Sequence, residues 1–512
     1  MKKGVNQLKA GSVISYVQMA LNVVISLLYT PVILRLLGKS EYGLYSTVSS
    51  TIAMLSILSL GFNSGYIRYF ARYKKQQDED AIAKLNGLFL IIFSVIGVVA
   101  LACGLYLSFH LDLVFDEGLL PSEYRIARVL MLLLTANLAI SFPMSVFQSI
   151  ISANERFVFL KSLSVIKTVV GPLITLPLLL MGCRSIAMVS VTVGVSLAVD
   201  ICCLIFVKRC LHNRFVFYDF EPGLLKSLFV YTGFIALNMI IDQINWNVDK
   251  ILLARFKGTD SVAVYAVAFT LFQCYQLLST SVSGVFTPRI HKLVNHYQDT
   301  QGRINTELTE LFTKVGRIQY LILALVAGGI CFFGKPFIRF WAGEGYTNAY
   351  YVALLLVLPS SVALIQNVGI EIQRAENKHR FRSIAYAIMA AVNLIASIFL
   401  CQIYGEIGAA IGTAVSLLIA NGLIMNVYYY RQCGIDIPYF WKNILQQSVG
   451  LIIPVAAGFL LNRLFTFDSI VKLLAGIAAY TLIYCISMWT FGMNRYEKDL
   501  ISRPIKNLLK RT

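Results

Sequence analysis

The chain has 512 residues, of which 57% are hydrophobic and only 14% are charged, and its mean hydropathy of +0.71 lies far outside the range of soluble domains. This composition excludes a soluble globular protein and predicts an integral membrane protein that crosses the bilayer many times. The formal net charge of +18 does not indicate a nucleic-acid partner, because the basic residues fall between the apolar stretches and not in one patch.

Apolar stretches of about 20 residues recur along the whole chain, and each is long enough to cross a hydrocarbon core of about 30 Å as a helix. We therefore predict an all-α polytopic membrane protein with about fourteen transmembrane helices. In chain order, the predicted spans cover residues 11–34, 43–62, 85–108, 128–152, 157–180, 186–207, 231–254, 262–286, 318–333, 348–372, 381–402, 407–428, 444–461 and 470–491. The first span carries Gln18 and Asn22 and is not followed by a small-residue cleavage site, so we interpret it as retained and not as a secretion signal.

Lysine and arginine are distributed unevenly over the predicted loops. The alternate loops on the side of both termini carry about three times as many as the opposite loops, and the positive-inside rule then predicts that both termini are cytoplasmic. The two longest loops on that side, residues 63–84 and 287–317, are amphipathic, and we predict that they form helices at the membrane surface.

A shift of 220 residues aligns the sequence with itself. It places RLLGKSEYGLY, residues 35–45, on RFKGTDSVAVY, residues 255–265, and it places TVGVSLAV, residues 192–199, on GTAVSLLI, residues 412–419. The same shift superposes the first predicted span on the seventh. Six spans are therefore followed by six in the same orientation, and then by an extra pair.

Such a repeat predicts two six-helix lobes related by pseudo-two-fold symmetry about an axis along the membrane normal, with a cavity between them. We expect the first lobe at residues 1–215, the second at residues 216–432, and the final two helices with the cytoplasmic tail at residues 433–512.

Several short motifs resemble one family of transporters. The stretch TPVILRLLGKSEYGLYSTVSS, which begins at Thr30, and NVDKILLARFKGTDSVAVYAVA, which begins at Asn247, resemble the polysaccharide flippases of the multidrug/oligosaccharidyl-lipid/polysaccharide exporter superfamily. RAENKHR and IGAAIGTAVS resemble the same family. One departure is Ala263, where the family pattern has a glycine that matches Gly43 of the first half.

The resemblance implies a transporter of undecaprenyl-diphosphate-linked oligosaccharide units, which would move from the cytoplasmic to the periplasmic leaflet by alternating access for surface polysaccharide assembly. It also implies a location in the bacterial cytoplasmic (inner) membrane. The implied partners are the lipid-linked oligosaccharide, membrane lipids and other polysaccharide assembly proteins.

The seventh span carries an unusual number of polar residues. Four of them are spaced by four, three and four positions and so share one helix face, namely Asn238, Asp242, Asn245 and Asp249. An aspartate at the bilayer centre costs about 2.5 to 3.5 kcal/mol on insertion scales, so such a group is expected to face protein or a watery cavity.

Two interpretations of this polar stripe are open. Asp242 could bind a coupling proton or sodium ion or contact sugar hydroxyls, or the stripe could form interhelical hydrogen bonds that hold the bundle together. For Asp249, near the outer end, an interfacial ion pair with Lys250 is an equal alternative. The shift of 220 places Asn238 on Gln18 and Asp242 on the neutral Asn22, so any cation coupling is predicted in the second lobe.

Lys161 and Lys167 lie in the fifth span, where an ammonium group could pair with a lipid diphosphate. Their spacing of six residues places them about 120° apart on a helix, so one cavity-facing stripe does not easily hold both. We expect Lys161 to extend to the cytoplasmic edge and Lys167, which lies deeper, to be the better candidate for the substrate pathway.

The chemistry of an enzyme is not indicated. The histidines fall in loops or at span ends, at His110, His212, His291, His296 and His379, and no nucleophile and base motif accompanies them. The sequence also has no glycine loop that would hold a nucleotide phosphate. We therefore predict no catalytic site, metal site or cofactor. The alternatives are a multidrug or cation antiporter of the same fold and, in a different class, a membrane glycan-assembly enzyme.

Overall fold

The computed structural model describes residues 7–115, 119, 121–296, 301–376 and 378–509, and within them the chain forms α-helices and no β-strand. Up to residue 206 the helices are α1 Gln7–Leu37, α2 Lys39–Leu55, α3 Phe62–Gln76, α4 Glu79–Phe109, α5 Pro121–Ala153, α6 Phe157–Leu180 and α7 Ser185–Phe206. They continue with α8 Leu224–Lys257, α9 Thr259–His296, α10 Gln301–Trp341, α11 Asn348–Ile365, α12 Val368–Ala375, α13 His379–Leu417, α14 Met425–Arg431, α15 Ile437–Ser448, α16 Ile452–Leu464, α17 Ile470–Ser487 and α18 Arg495–Leu509.

The prediction of an all-α polytopic membrane protein is confirmed. Among the described residues, twelve helical stretches are long and apolar enough to cross a membrane, and α8, which bends by 43° near Gly233, makes thirteen. The stretch Arg380–Arg431 covers two predicted spans, and a backbone break at Gly405 (φ 57°, ψ −134°) separates them. The predicted count of fourteen is therefore approximate, since the described residues give twelve or thirteen candidate spans.

Both long loops predicted as helices are helical where the structure describes them, apart from a turn at Gln77 and Asp78. Residues 63–76 belong to α3, and the segment 287–317 is divided between the end of α9 and the start of α10, with residues 297–300 outside the described part. The basic residues Lys2 and Lys3, which contribute to the predicted orientation, also lie outside it. The orientation of the termini and the position of these segments at the membrane surface stay predictions.

Backbone contacts divide the chain into two compact units. One comprises Met1–Ala266 with Ala390–Ala409, and the other comprises Val267–Met389 with Ala410–Thr512. The predicted lobes at residues 1–215 and 216–432 stay a prediction.

In the first unit, α4 and α5 pack closely along their length. A Cβ atom at Gly104 would overlap the side chain of Thr135, and one at Gly97 would overlap the backbone of Ala139. Small residues thus allow the two backbones to approach, which is the usual way for membrane helices to gain contact area. Beside this contact lies an aromatic cluster formed by Phe62, Tyr66, Phe89, Phe93 and Phe147.

The repeat is visible in the backbone. Gly38, between α1 and α2, has φ 81° and ψ 172°, and Gly258, between α8 and α9, has φ 82° and ψ 176°. This region of backbone conformation is open essentially to glycine alone. The two glycines are superposed by the shift of 220, so the same helix break is encoded at equivalent places in both halves.

The segment between α7 and α8 lies along the start of α4. The backbone N–H of Val216 donates to the carbonyl of Ala83 at 3.0 Å, and a Cβ atom at Gly87 would overlap the carbonyl of Val216. The Lys84 ammonium donates to Asp219 at 2.6 Å and holds the pKa of that carboxyl below its usual range. The connection into α8 is therefore fixed on α4 before α8 begins.

In the second unit, a buried ion pair joins α10 to α18. The guanidinium of Arg317 donates to both oxygens of Glu497, at 2.6 and 3.0 Å, and to the backbone carbonyls of Asn443 and Gly492 at 2.8 and 3.0 Å. Both side chains are buried. The bidentate geometry and the additional carbonyls compensate the desolvation of the charges.

We expect Glu497→Gln to lower the free energy of unfolding by about 3 kcal/mol or more, because it leaves the Arg317 charge buried without its counter-ion. Asp499→Asn is the matched control, since Asp499 pairs with Arg503 on an exposed face of the same helix. Thermal unfolding of the purified protein in detergent measures both. Equal melting temperatures for the two variants would contradict this role of the buried pair.

Candidate functional site

Helix α8 carries the predicted polar stripe, and the structure divides its members by exposure. Asp242, near the middle of α8, is exposed, whereas Asn238 and Asn245 are half-buried and Asp249 is only 3% exposed. These four residues share one helix face but do not have the same environment.

Asp249 is tied to the protein interior. Its Oδ2 accepts a hydrogen bond from the hydroxyl of Tyr265 on α9 at 2.7 Å, and both residues are buried. Tyr265 is the tyrosine of the RFKGTDSVAVY motif, which the repeat places on Tyr45. The contact favours the interpretation in which Asp249 stabilises the packing of α8 on α9.

Helix α8 also packs on the turn between α2 and α3. The amide of Gln243 donates to the hydroxyl of Ser56 at 3.0 Å, and the amide of Asn247 donates to the side-chain oxygen of Gln243 at 2.5 Å. A Cβ atom at Gly61 would overlap the side chain of Ile235, so the two backbones are close. Sequence analysis missed Gln243 and Asn247 as a pair, although their spacing of four residues could have revealed it.

Gln18 and Asn22, the counterparts of the stripe in the first half, are half-buried on α1, which packs on α6. On α6, Lys161 is half-buried near the first turn and Lys167 is exposed. The Lys167 ammonium donates to the hydroxyl of Ser196 on α7 at 3.0 Å. The roles proposed for these four residues stay predictions.

Sequence analysis also missed Asp200 on α7. This aspartate is 4% exposed, and its Oδ1 accepts a hydrogen bond from the amide of Gln148 on α5 at 2.9 Å. The signal was present in the sequence, because Asp200 is the single ionisable acid in the predicted span 186–207. An intramembrane acid is a candidate functional group by itself.

The motif RLLGKSEYGLY performs two structural tasks. Glu41, on the first turn of α2, is buried and accepts hydrogen bonds from the backbone N–H and the hydroxyl of Ser185 at 2.8 and 2.5 Å, while Arg184 donates to it at 3.4 Å. A carboxylate in this position satisfies a free N–H at the start of α7 and complements the positive end of the helix dipole.

The second task is a contact between the repeated helix starts. The hydroxyls of Ser40 and Thr259 lie 3.0 Å apart, and a Cβ atom at Gly43 would overlap the backbone carbonyl of Thr259. Lys39 and Asp260 add an ion pair at 3.9 Å. The starts of α2 and α9, which the shift of 220 superposes, therefore contact each other directly.

The chain matches the family described as "Polysaccharide biosynthesis protein" over residues 8–294, which is more than half of its length. It is 20% identical over 502 residues to the uncharacterized membrane protein EpsK of Bacillus subtilis, with 95% of each chain covered. It is 23% identical over 262 residues to the "Probable low-salt glycan biosynthesis flippase" of Haloferax volcanii, with 51% of this chain and 53% of the relative covered.

Solved structures share the fold. The structure of the lipid II flippase MurJ in an inward closed conformation superposes with a TM-score of 0.73 at 17% identity, covering 96% of this chain and 99% of that chain. An inward-facing multidrug resistance transporter of the MATE family superposes with a TM-score of 0.64 at 14% identity, covering 83% of this chain and 96% of that chain.

The different environments of the two α8 aspartates predict different costs of neutralisation. Asp249→Asn should lower the free energy of unfolding by about 1 to 3 kcal/mol, because it weakens a buried, charge-assisted hydrogen bond. Asp242→Asn should lower it by less, because this side chain is exposed. Thermal unfolding in detergent compares them, and a larger loss for Asp242→Asn would contradict the assignment.

Proposed function

The chain belongs to the polysaccharide biosynthesis protein family, as its motifs predicted, and on this premise we propose that it is a flippase for undecaprenyl-diphosphate-linked oligosaccharide units. It would move them from the cytoplasmic to the periplasmic leaflet of a bacterial cytoplasmic membrane by alternating access. Both termini would lie in the cytoplasm, and no catalytic step would be involved.

The observation that carries this proposal is the exposed Asp242 in the middle of a membrane-spanning helix. A carboxylate exposed to hydrocarbon is costly, so an exposed mid-span acid is typical of a water-filled pathway. The substrate requires such a pathway, because its sugars and diphosphate must cross the bilayer centre while its lipid tail can stay in hydrocarbon. Half-buried Asn238 and Asn245 would extend this polar surface along α8 and offer amide groups to sugar hydroxyls.

Alternating access requires contacts that form on one side in one state and break in the other. The contact of Ser40 and Gly43 with Thr259 joins two helix starts that the repeat relates, and it is compact because Gly43 has no side chain. We assign it as the closed gate on the outer side. In the opposite state the starts of α2 and α9 would separate.

Asp242→Asn is expected to reduce export strongly at unchanged protein level, because the negative charge in the pathway is removed and the shape is kept. The measurement is the amount of surface polysaccharide, together with lipid-linked oligosaccharide accumulated in the inner leaflet. Asp219→Asn is the matched control, since Asp219 is an exposed acid in the connection between α7 and α8 and belongs neither to the stripe nor to the gate. Export at the normal rate by Asp242→Asn would refute the proposed role of this residue.

A disulfide between Ser40→Cys and Thr259→Cys, in a background without the native cysteines, is expected to form readily because the two hydroxyls are 3.0 Å apart. It should block export under oxidising conditions, and a reductant should restore it. The control pair is Asn63→Cys with Ser149→Cys, whose side chains lie 3.2 Å apart within the first half. If the oxidised Ser40 and Thr259 pair still exports normally, the gate is wrongly assigned.

The fold likeness to MATE transporters favours a second candidate, a multidrug or cation antiporter. Deletion of the gene distinguishes the two. Accumulation of lipid-linked oligosaccharide with loss of surface polysaccharide supports the flippase, whereas drug sensitivity with unaltered polysaccharide supports the antiporter. Complementation by the Asp242→Asn variant in the same strain then assigns the phenotype to the pathway on α8.

A further inference from the structure

A polar cluster lies inside the first unit, away from α8. It joins three helices, because Gln148 of α5 donates to Asp200 of α7 at 2.9 Å and Lys167 of α6 donates to Ser196 of α7 at 3.0 Å. Ser196 and Asp200 are four residues apart on α7 and therefore share one face. The Lys167 ammonium is thus held about one helical turn from the Asp200 carboxylate.

Asp200 is only partly satisfied in this cluster. Its Oδ1 accepts the Gln148 hydrogen bond, but its Oδ2 is buried and has no hydrogen-bond partner within the part of the chain that the structure describes. Ser141 of α5 lies nearby, without the geometry of a hydrogen bond to this atom. A buried carboxylate oxygen without a donor is costly, and a buried acid in this condition takes up a proton or holds a cation instead.

Within the described part of the chain, the charged group that interacts electrostatically with Asp200 is Lys167 of α6. From α5 the neighbours are the neutral Gln148 and Ser141, and on α7 itself the thiol of Cys203 lies three residues further along. Gln148 and Lys167 are exposed, so the cluster is buried under side chains that are accessible from outside the bundle.

We propose that Asp200 is a proton-binding site of the transporter and that Lys167 responds to its charge. Protonation places an O–H on Oδ2, which can donate to the hydroxyl of Ser141, while Lys167 stays on Ser196 as observed. Release of the proton leaves a carboxylate, which attracts the Lys167 ammonium from Ser196 across one turn of α7. The proton comes from water and returns to water through the exposed side of the cluster.

A proton fits this site better than a metal cation. No group of three or more His, Cys, Asp or Glu side chains that could hold a metal occurs among the described residues. Sodium would need several more oxygen ligands than Asp200, Gln148 and Ser141 provide, and it would be repelled by the nearby ammonium. The proposal rests on the chain being a transporter and does not depend on which substrate it carries.

Infrared titration of the full-length protein in lipid tests the site without any transport assay. A carboxyl C=O band that titrates reversibly should be present in the wild type and missing from Asp200→Asn, which resembles the protonated form and should fold. Asp219→Asn is the control, because that acid is exposed and paired with Lys84. Lys167→Gln removes the competing ammonium. In this variant the band should therefore disappear only at a proton concentration about tenfold or more lower than in the wild type.

Transport supplies the second measurement. In proteoliposomes, Asp200→Asn should abolish the dependence of transport on an imposed pH gradient, and Asp200→Glu should restore part of it. An unchanged infrared band in Asp200→Asn overturns the proposal, and so does a sodium-dependent rise in melting temperature that the wild type shows and Asp200→Asn lacks. If the infrared result holds and lipid-linked oligosaccharide is not moved, the proposed substrate fails and the proton site stands.

Discussion

Every buried polar group must find a partner in the protein or in water, and this constraint organises the structure. The Glu41 carboxylate accepts a hydrogen bond from the first turn of α7, and Asp249 accepts one from Tyr265. Arg317 donates to Glu497 and to two backbone carbonyls. Each of these groups holds two helices together because its partner belongs to another helix. An ionisable residue that is not compensated in this way is therefore the place to look for function.

The two acids proposed to act in transport differ in burial. Asp242 is exposed, so water can solvate it, whereas Asp200 is buried with one oxygen lacking a donor among the described residues. A substrate with many hydroxyls and a diphosphate suits an open polar surface. A proton suits a closed site that accommodates no larger ligand. Under the two proposals, Asp242 therefore serves the substrate pathway and Asp200 separately binds the coupling proton.

Much of the fold could be predicted from the sequence, because a helix that crosses lipid must be long and apolar and must satisfy its backbone internally. The shift of 220 aligns Gly38 with Gly258, and the two glycines share one backbone conformation. The break at Gly405 was anticipated as the gap between two predicted spans. In contrast, the division of contacts into units depends on which helices pack together, and hydropathy carries no information about packing partners.

The candidate site was less predictable, for a physical reason. Helical spacing shows that Asp242 and Asp249 share a face, but it does not show what covers each end of that face. Asp249 is buried and accepts a hydrogen bond from the hydroxyl of Tyr265, which lies on a different helix, whereas Asp242 is exposed.

The inference that coupling belongs to the second half compared Asn22 with Asp242 at equivalent positions only. Asp200 changes that comparison, because an uncompensated acid in the first half can couple without any counterpart at the repeat-related position. Pseudo-symmetry constrains the backbone through residues such as Gly38, whereas individual side chains are free to diverge. The functional asymmetry of a repeated fold must therefore be sought in burial and hydrogen bonding, residue by residue.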